Sequence, residues 1–271
     1  MVLPDHIFNA ITQRGAMGGD SSASDLQTIK DWLDNGGDID DVDSEGATIL
    51  NLSLIFERID DVKWVISHGA DVNKPSYNYE ETPLLTAVAC DQIEFVLEVI
   101  TLLLDAGARI NATTAIADDG VFIAGETALS FAFDWFRYDR AEDAERGLAY
   151  VPLLLRRGAK LDGCWGGRSA EDCLRHVEDP SAFPGLEDAY SEDLYAERKL
   201  PIATKRQFVA CKKMIADERR RRYLLPRRAI LRLRSLALRG RAKPDALLAA
   251  VARLPNELAW HVLSYWPAEA D

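Results

Sequence analysis

The sequence predicts an all-α fold in which two-helix units follow one another along the chain and stack into a solenoid. Three observations predict it. One short phrase recurs where a helix begins, a second recurs where a helix ends, and between them apolar residues fall at the spacing of helix turns. A single two-helix unit cannot bury its apolar face, so neighbouring units are expected to complete one shared core.

The opening phrase places Thr or Ser after a small or acidic residue and ahead of two largely apolar positions. It recurs at residues 46–50 (GATIL), 80–84 (EETPL), 125–129 (GETAL) and, more weakly, 167–171 (GRSAE). A Thr side chain there accepts a hydrogen bond from the free N–H groups of the first helical turn. Pro83 follows one such Thr, at a position where its missing N–H removes no bond. We therefore expect a helix to begin after each phrase.

The closing phrase contains Gly followed by a small residue and then a polar and an apolar residue. It occurs at residues 35–39 (NGGDI), 68–72 (HGADV), 106–110 (AGARI) and 157–161 (RGAKL). Glycine suits the left-handed residue that ends a helix, and the Asp or Asn nearby favours a turn. Gly36 and Gly69 are 33 residues apart, whereas the later units are longer and predict insertions in and between their helices.

Residues 43–74 resemble an ankyrin repeat, a turn, helix, helix, loop unit with a period of 33 residues. The resemblance implies an ankyrin-type helical solenoid with short hairpin loops. It implies about five units over residues 1–177, with the first and last degenerate because terminal units cap the stack. It also implies that the chain binds a target protein at the hairpin tips and the ends of the first helices, rather than transforming a substrate.

Laying this unit on the chain places large apolar and aromatic residues at positions of the concave surface. An apolar cluster rimmed by acidic residues is typical of a protein interface. In the alternative, the insertions fold back over the rings, which are then ordinary core residues. The candidate partner-binding residues are Ile55, Phe56, Tyr77, Tyr79, Trp135, Phe136 and Tyr138.

Charge divides the rest of the chain. Residues 1–197 carry 14 Lys and Arg against 38 Asp and Glu, whereas residues 198–271 carry 18 against 6. Residues 178–203 are acidic and rich in turn formers, which predicts a linker, and residues 204–271 predict a small basic helical module. The basic stretch is either an import or phosphate-binding patch or a solvated helix face that leans on the acidic repeats. The second is favoured because no aromatic residues interleave the charges, so nucleic acid is not expected as a partner.

Residues 254–266 (LPNELAWHVLSYW) resemble the opening of an F-box, and the layout resembles that of ankyrin proteins of large DNA viruses and protists with an F-box-like C-terminus. The resemblance implies a Skp-type adaptor and a cullin ubiquitin ligase as partners, with this chain as substrate receptor. The alternative is a plain ankyrin binding module whose C-terminal helices only cap the stack. The candidate adaptor-binding residues are Leu254, Pro255, Glu257, Leu258, Val262 and Leu263.

Catalytic signatures are absent from the sequence. It contains no phosphate-binding glycine loop before a Lys, no GxSxG elbow and no HExxH helix, so we expect neither an enzyme nor a cofactor. Cys164, Cys173 and His176 fit no common zinc spacing, and buried free thiols are expected instead. No apolar run is long enough to cross a membrane. Scattered cysteines indicate a reducing compartment, the cytoplasm or the nucleus.

Overall fold

A computed structural model describes residues 3–12, 23–44, 46–76, 81–114, 125–137, 140–178 and 205–224. Every regular element within these ranges is helical, and their β-bridges are isolated pairs such as Val42 with Thr48. The all-α repeat fold is thereby confirmed. No helix in the described ranges is long and apolar enough to span a membrane. The helices are α1 (Asp5–Thr12), α2 (Ala23–Asp34), α3 (Ile49–Ile55), α4 (Ile59–Ser67), α5 (Pro83–Ala89), α6 (Ile93–Asp105), α7 (Ala128–Asp134), α8 (Ala141–Arg156), α9 (Ala170–Glu178) and α10 (Lys205–Arg219).

The helices form two parallel rows. The inner row stacks α1, α3, α5, α7 and α9 in chain order, and the outer row stacks α4, α6 and α8. The inner helices α1, α3, α5 and α7 each pack against the helix that follows, and we call these following helices, α2, α4, α6 and α8, the outer helices. We call the pairs α1/α2, α3/α4, α5/α6 and α7/α8 repeats one to four. Because each pair touches the next, one apolar core runs the length of the stack.

Tertiary contacts divide the chain into two compact units, Met1–Lys213 and Met214–Asp271. The first unit holds the repeats and the beginning of α10. In the described part of the second unit, α10 ends and a π-helical turn, Arg220–Leu224, follows. Glu218 there accepts hydrogen bonds from Arg221 and Arg222, and these bonds lower the pKa of its carboxyl.

The two rows differ in burial because an inner helix has neighbours on almost every side. All residues of α3 from Ile49 to Leu54 are buried, Asn51 and Ser53 included, and both polar side chains are hydrogen-bonded locally. The outer helix α4 is instead amphipathic, and buries Val62 and Val65 on one face.

The closing glycines adopt the conformation that the sequence predicts. Gly36, Gly69, Gly107 and Gly158 have φ between +89° and +98°, each directly after an outer helix or its last turn. A side chain is strained in that region, so glycine ends each outer helix and turns the chain toward the next repeat.

Side chains in the loops after these glycines bond the backbone of the following repeat. Asp40 Oδ1 accepts from Asp71 N at 2.9 Å, Asn73 Oδ1 accepts from Arg109 N at 2.8 Å, and Asn111 Oδ1 accepts from Lys160 N at 2.8 Å. We call these bonds the loop ladder. It fixes each loop against the next at a repeating position, whatever the length of chain between them.

The opening threonines differ from one another, which predicts unequal effects of the same substitution. Thr127 accepts from Ser130 N and forms a reciprocal capping box with Ser130, whereas the Thr82 side chain makes no capping bond. Thr127→Ala should therefore lower the free energy of unfolding by about 1–2 kcal/mol. Thr82→Ala removes the same atoms and is the matched control, with a clearly smaller loss. Equal losses in urea unfolding would show that the capping bonds do not stabilise α7.

Candidate functional site

A groove lies on the inner row between repeats two and three, where the end of α3 faces α5. Its volume is about 540 Å³. It is lined by Ile55, Phe56, Glu57, Glu81, Thr86, Ala89, Cys90, Asp91 and Gln92. We call this cavity the α3/α5 groove. It contains both apolar and acidic side chains, the composition expected of the concave surface.

Two of the sequence-predicted partner-binding residues line the α3/α5 groove. Ile55 is the last residue of α3 and its surface is 52% exposed, while Phe56 is partly exposed. In the described ranges Ile55 and Val209 are the large hydrophobic residues with exposed surfaces. An exposed isoleucine beside an open cavity leaves apolar surface available to a partner.

Glu57 shapes the groove although nothing in the sequence pattern marks it. Its φ is +51°, a left-handed conformation that is unfavourable for a residue with a side chain. Its carboxylate Oε1 accepts hydrogen bonds from Asp91 N at 2.7 Å and Gln92 N at 3.0 Å. These N–H groups belong to the turn that begins α6, so the bonds tie repeat two to repeat three and stabilise the helix start.

Arg146 holds the other side of that turn from repeat four. Its Nε donates to the Asp91 backbone oxygen at 2.8 Å, and its Nη2 lies 3.3 Å from Asp91 Oδ1. Nη1 forms an ion pair with the buried Asp143, and the guanidinium lies 4.6 Å from the ring centroid of Trp135. Burial raises the pKa of the Asp143 carboxyl, while Arg146 acts to lower it.

Cys90 lines the groove, and its thiol is buried and hydrogen-bonded. Its thiol donates to Leu54 O and Thr86 O, each at 3.3 Å. Burial, and after it the nearby carboxylates of Glu57, Asp91 and Glu81, together raise its pKa to about 12. A thiol with that pKa is not a nucleophile at neutral pH, so the groove is suited to binding rather than to thiol chemistry.

Trp135 and Phe136 depart from the expectation that they lie on the partner surface. Trp135 is 9% exposed and its Nε1 donates to Val88 O at 3.0 Å, while Phe136 is fully buried. Phe136 packs edge-on against Phe208 with ring centroids 5.7 Å apart. The reason is that a 3-10 turn, Trp135–Arg137, continues the chain beyond α7 and directs both rings inward. For this pair the structure favours the core interpretation.

The other candidate residues lie outside the described residues. These are Tyr77, Tyr79 and Tyr138 among the partner-binding candidates, residues 179–203 of the predicted linker at 178–203, and the adaptor-binding candidates Leu254, Pro255, Glu257, Leu258, Val262 and Leu263. At the borders of the described ranges, Ser76 N donates to Glu81 O and Thr114 N donates to Glu126 O.

The residues considered above as zinc ligands, Cys164, Cys173 and His176, lie at the end of the repeats. All four cysteines are buried, which confirms that part of the expectation. Cys164 and Cys173 are both buried, and the ring of His176 lies 5.0 Å from that of Trp165. Among the described side chains no group of three or more His, Cys, Asp or Glu residues is placed to hold a metal ion.

Comparison with known proteins accords with this geometry. No curated protein matches the chain in a sequence comparison. A family model described as Ankyrin repeats (3 copies) matches residues 21–114, a range that includes α2 to α6 and the α3/α5 groove. Residues 21–114 are therefore similar to ankyrin repeats, and ankyrin repeats are modules that bind other proteins.

Proposed function

We propose that this chain captures a target protein in the α3/α5 groove, with Ile55 and Phe56 as apolar contacts. The observation that carries the proposal is the 52% exposure of Ile55 at the rim of an open cavity. Water in the free groove is displaced when an apolar side chain of the target enters. Burial of the exposed isoleucine then stabilises the complex.

The proposal extends to the C-terminal segment. The F-box-like residues at 254–263 dock a Skp-type adaptor, and the chain is then the substrate receptor of a cullin ubiquitin ligase. The support for this step is the sequence resemblance of residues 254–266. Such a role belongs in the cytoplasm or the nucleus, where free thiols stay reduced.

One observation favours a second candidate, a plain binding module whose C-terminal helices cap the stack. Phe208 of α10 is buried against Phe136, and Lys212 forms an ion pair with Glu178 at the end of α9. The first turns of α10 therefore cover part of the repeat core. Covering the repeat core is a sufficient role for α10, and this role requires no adaptor.

A capture experiment separates the two candidates. The full chain and its Leu254→Ala/Pro255→Ala variant are immobilised and exposed to a purified Skp-type adaptor. Binding that is lost in the variant supports the receptor role. Equal binding, or none to either protein, rejects it and leaves the capping role. The variant's thermal unfolding is measured alongside, because a cap that loses its packing lowers the melting temperature.

Target capture is tested separately with the two exposed apolar residues. Affinity purification from cells uses the wild-type chain, Ile55→Ser, and the matched control Val209→Ser, since Val209 is 57% exposed but lies on α10. A partner that Ile55→Ser loses and Val209→Ser retains supports the groove. If every partner is retained by Ile55→Ser, Ile55 is not a contact and the proposal fails.

A further inference from the structure

The walls of the α3/α5 groove carry charge of one sign. Glu57, Glu81 and Asp91 line it, and none of the described residues that line it is Lys or Arg. Carboxylates gathered around an apolar cavity create a negative potential that is stronger than in open water, because the low-dielectric walls screen it less.

The three carboxylates differ in how accessible they are to a ligand. Glu57 is engaged by two backbone N–H groups, and the Glu81 carboxylate accepts from the Thr86 hydroxyl at 3.1 Å. The Asp91 side chain is 76% exposed. Asp91 is therefore the carboxylate most accessible to an incoming group.

Arg146, the cation that pairs with Asp91, is shared with a second carboxylate. Arg146 reaches Asp91 from repeat four, but it also pairs with the buried Asp143 and lies over Trp135. Its charge is thus divided between two carboxylates, Asp91 and Asp143. Burial is the main cause of the raised pKa of Cys90, and Glu57, Asp91 and Glu81 act in the same direction.

Apolar surface lies in the same cavity. Ile55 is half exposed, and Phe56 and Ala89 are partly exposed beside it. A side chain that fits here loses water from apolar atoms, whereas a carboxylate brought to the same place meets like charges and is repelled. A neutral peptide would cover the acidic rim without replacing the hydration it removes.

Resting on the proposed function, we propose that the occupant of the α3/α5 groove is a short linear segment of a partner protein in which an aliphatic or aromatic residue lies next to Lys or Arg. The apolar side chain lies on Ile55 and Phe56, and the cationic group lies at Asp91. Specificity for a basic neighbour is then set by the acidic rim, while the isoleucine provides the apolar contact.

The test is selection from a phage-displayed library of random short peptides against the full chain, followed by fluorescence anisotropy with the enriched peptides as synthetic probes. We expect enriched sequences to pair Lys or Arg with an apolar residue, and their binding to weaken as salt is raised. Asp91→Lys should weaken binding about tenfold or more, because like charges then face each other.

Asp105→Lys is the matched control. Asp105 is also an exposed aspartate paired with an arginine, Arg157, which follows α8 directly, but it is the last residue of α6 and does not line the groove. We expect Asp105→Lys to bind the same peptides as the wild type. An equal loss in both variants would mean that overall charge, not the groove, governs binding, and would overturn the inference.

Two outcomes distinguish this inference from the proposed function. Enriched peptides that lack Lys and Arg, yet lose binding in Ile55→Ser, overturn the inference and leave the groove as the capture site. A selection that enriches no peptide overturns the inference alone, because target capture is tested by affinity purification. Loss of no partner in Ile55→Ser, together with peptide binding that is unchanged in Asp91→Lys, overturns both.

Discussion

Alanine in place of Trp135 should lower the free energy of unfolding by about 3–5 kcal/mol. The side chain is 9% exposed, so its removal leaves a cavity at the contact between repeats three and four. The substitution also leaves Val88 O without the indole N–H and removes the ring under the Arg146 guanidinium. An unpaired buried acceptor adds to the cost of the cavity.

The measurement is urea unfolding followed by circular dichroism, with Trp64→Ala as the control. Trp64 lies on the outer helix α4, is partly exposed, and stacks on His68 with ring centroids 3.9 Å apart. The same deletion there should have a clearly smaller effect. A Trp135→Ala protein as stable as the wild type, but unable to hold its target, would restore Trp135 to the partner surface.

Gly147→Ala should destabilise the protein, although Gly147 lies within the helix α8. Replacing a helical glycine by alanine ordinarily stabilises a protein by roughly 0.5–1 kcal/mol. Here the new Cβ would lie 2.7 and 2.8 Å from two ring atoms of Phe136 and 3.2 Å from Ala132 O. Phe136 is fully buried and cannot move aside freely, so we expect Gly147→Ala to cost about 1–3 kcal/mol.

A double-mutant cycle checks the cause. Phe136→Leu on its own should destabilise the protein, because it removes ring atoms from a packed core. In the Gly147→Ala/Phe136→Leu protein the methyl group gains room, so the combined loss should be smaller than the sum of the two single losses. Additive losses would show that the ring is not what Gly147 accommodates.

The parts of the fold that the sequence predicts are those with local causes. Gly36, Gly69, Gly107 and Gly158 end outer helices because a left-handed residue is required there. Thr48 and Thr127 cap inner helices because their hydroxyls reach N–H groups three residues ahead. These signals lie within one turn of the position they determine.

Features that depend on distant residues could not be predicted in the same way. The burial of Phe136 depends on Phe208, on Gly147 and on an added 3-10 turn, none of which the 33-residue pattern contains. The role of Glu57 can be recognised only when the structure places its carboxylate beside the turn at Asp91. The exposure of Ile55 is the exception, because it lies in the repeat whose period is regular.

The loop ladder has a consequence for how this chain tolerates change in length. From Gly36 to Gly69 the spacing is 33 residues, yet Asn111 reaches Lys160 by the same kind of bond that joins Asn73 to Arg109. Extra residues between those points are thus accommodated outside the row of bonded loops. A longer connection between Asn111 and Lys160 is therefore compatible with the same hydrogen bond between neighbouring loops.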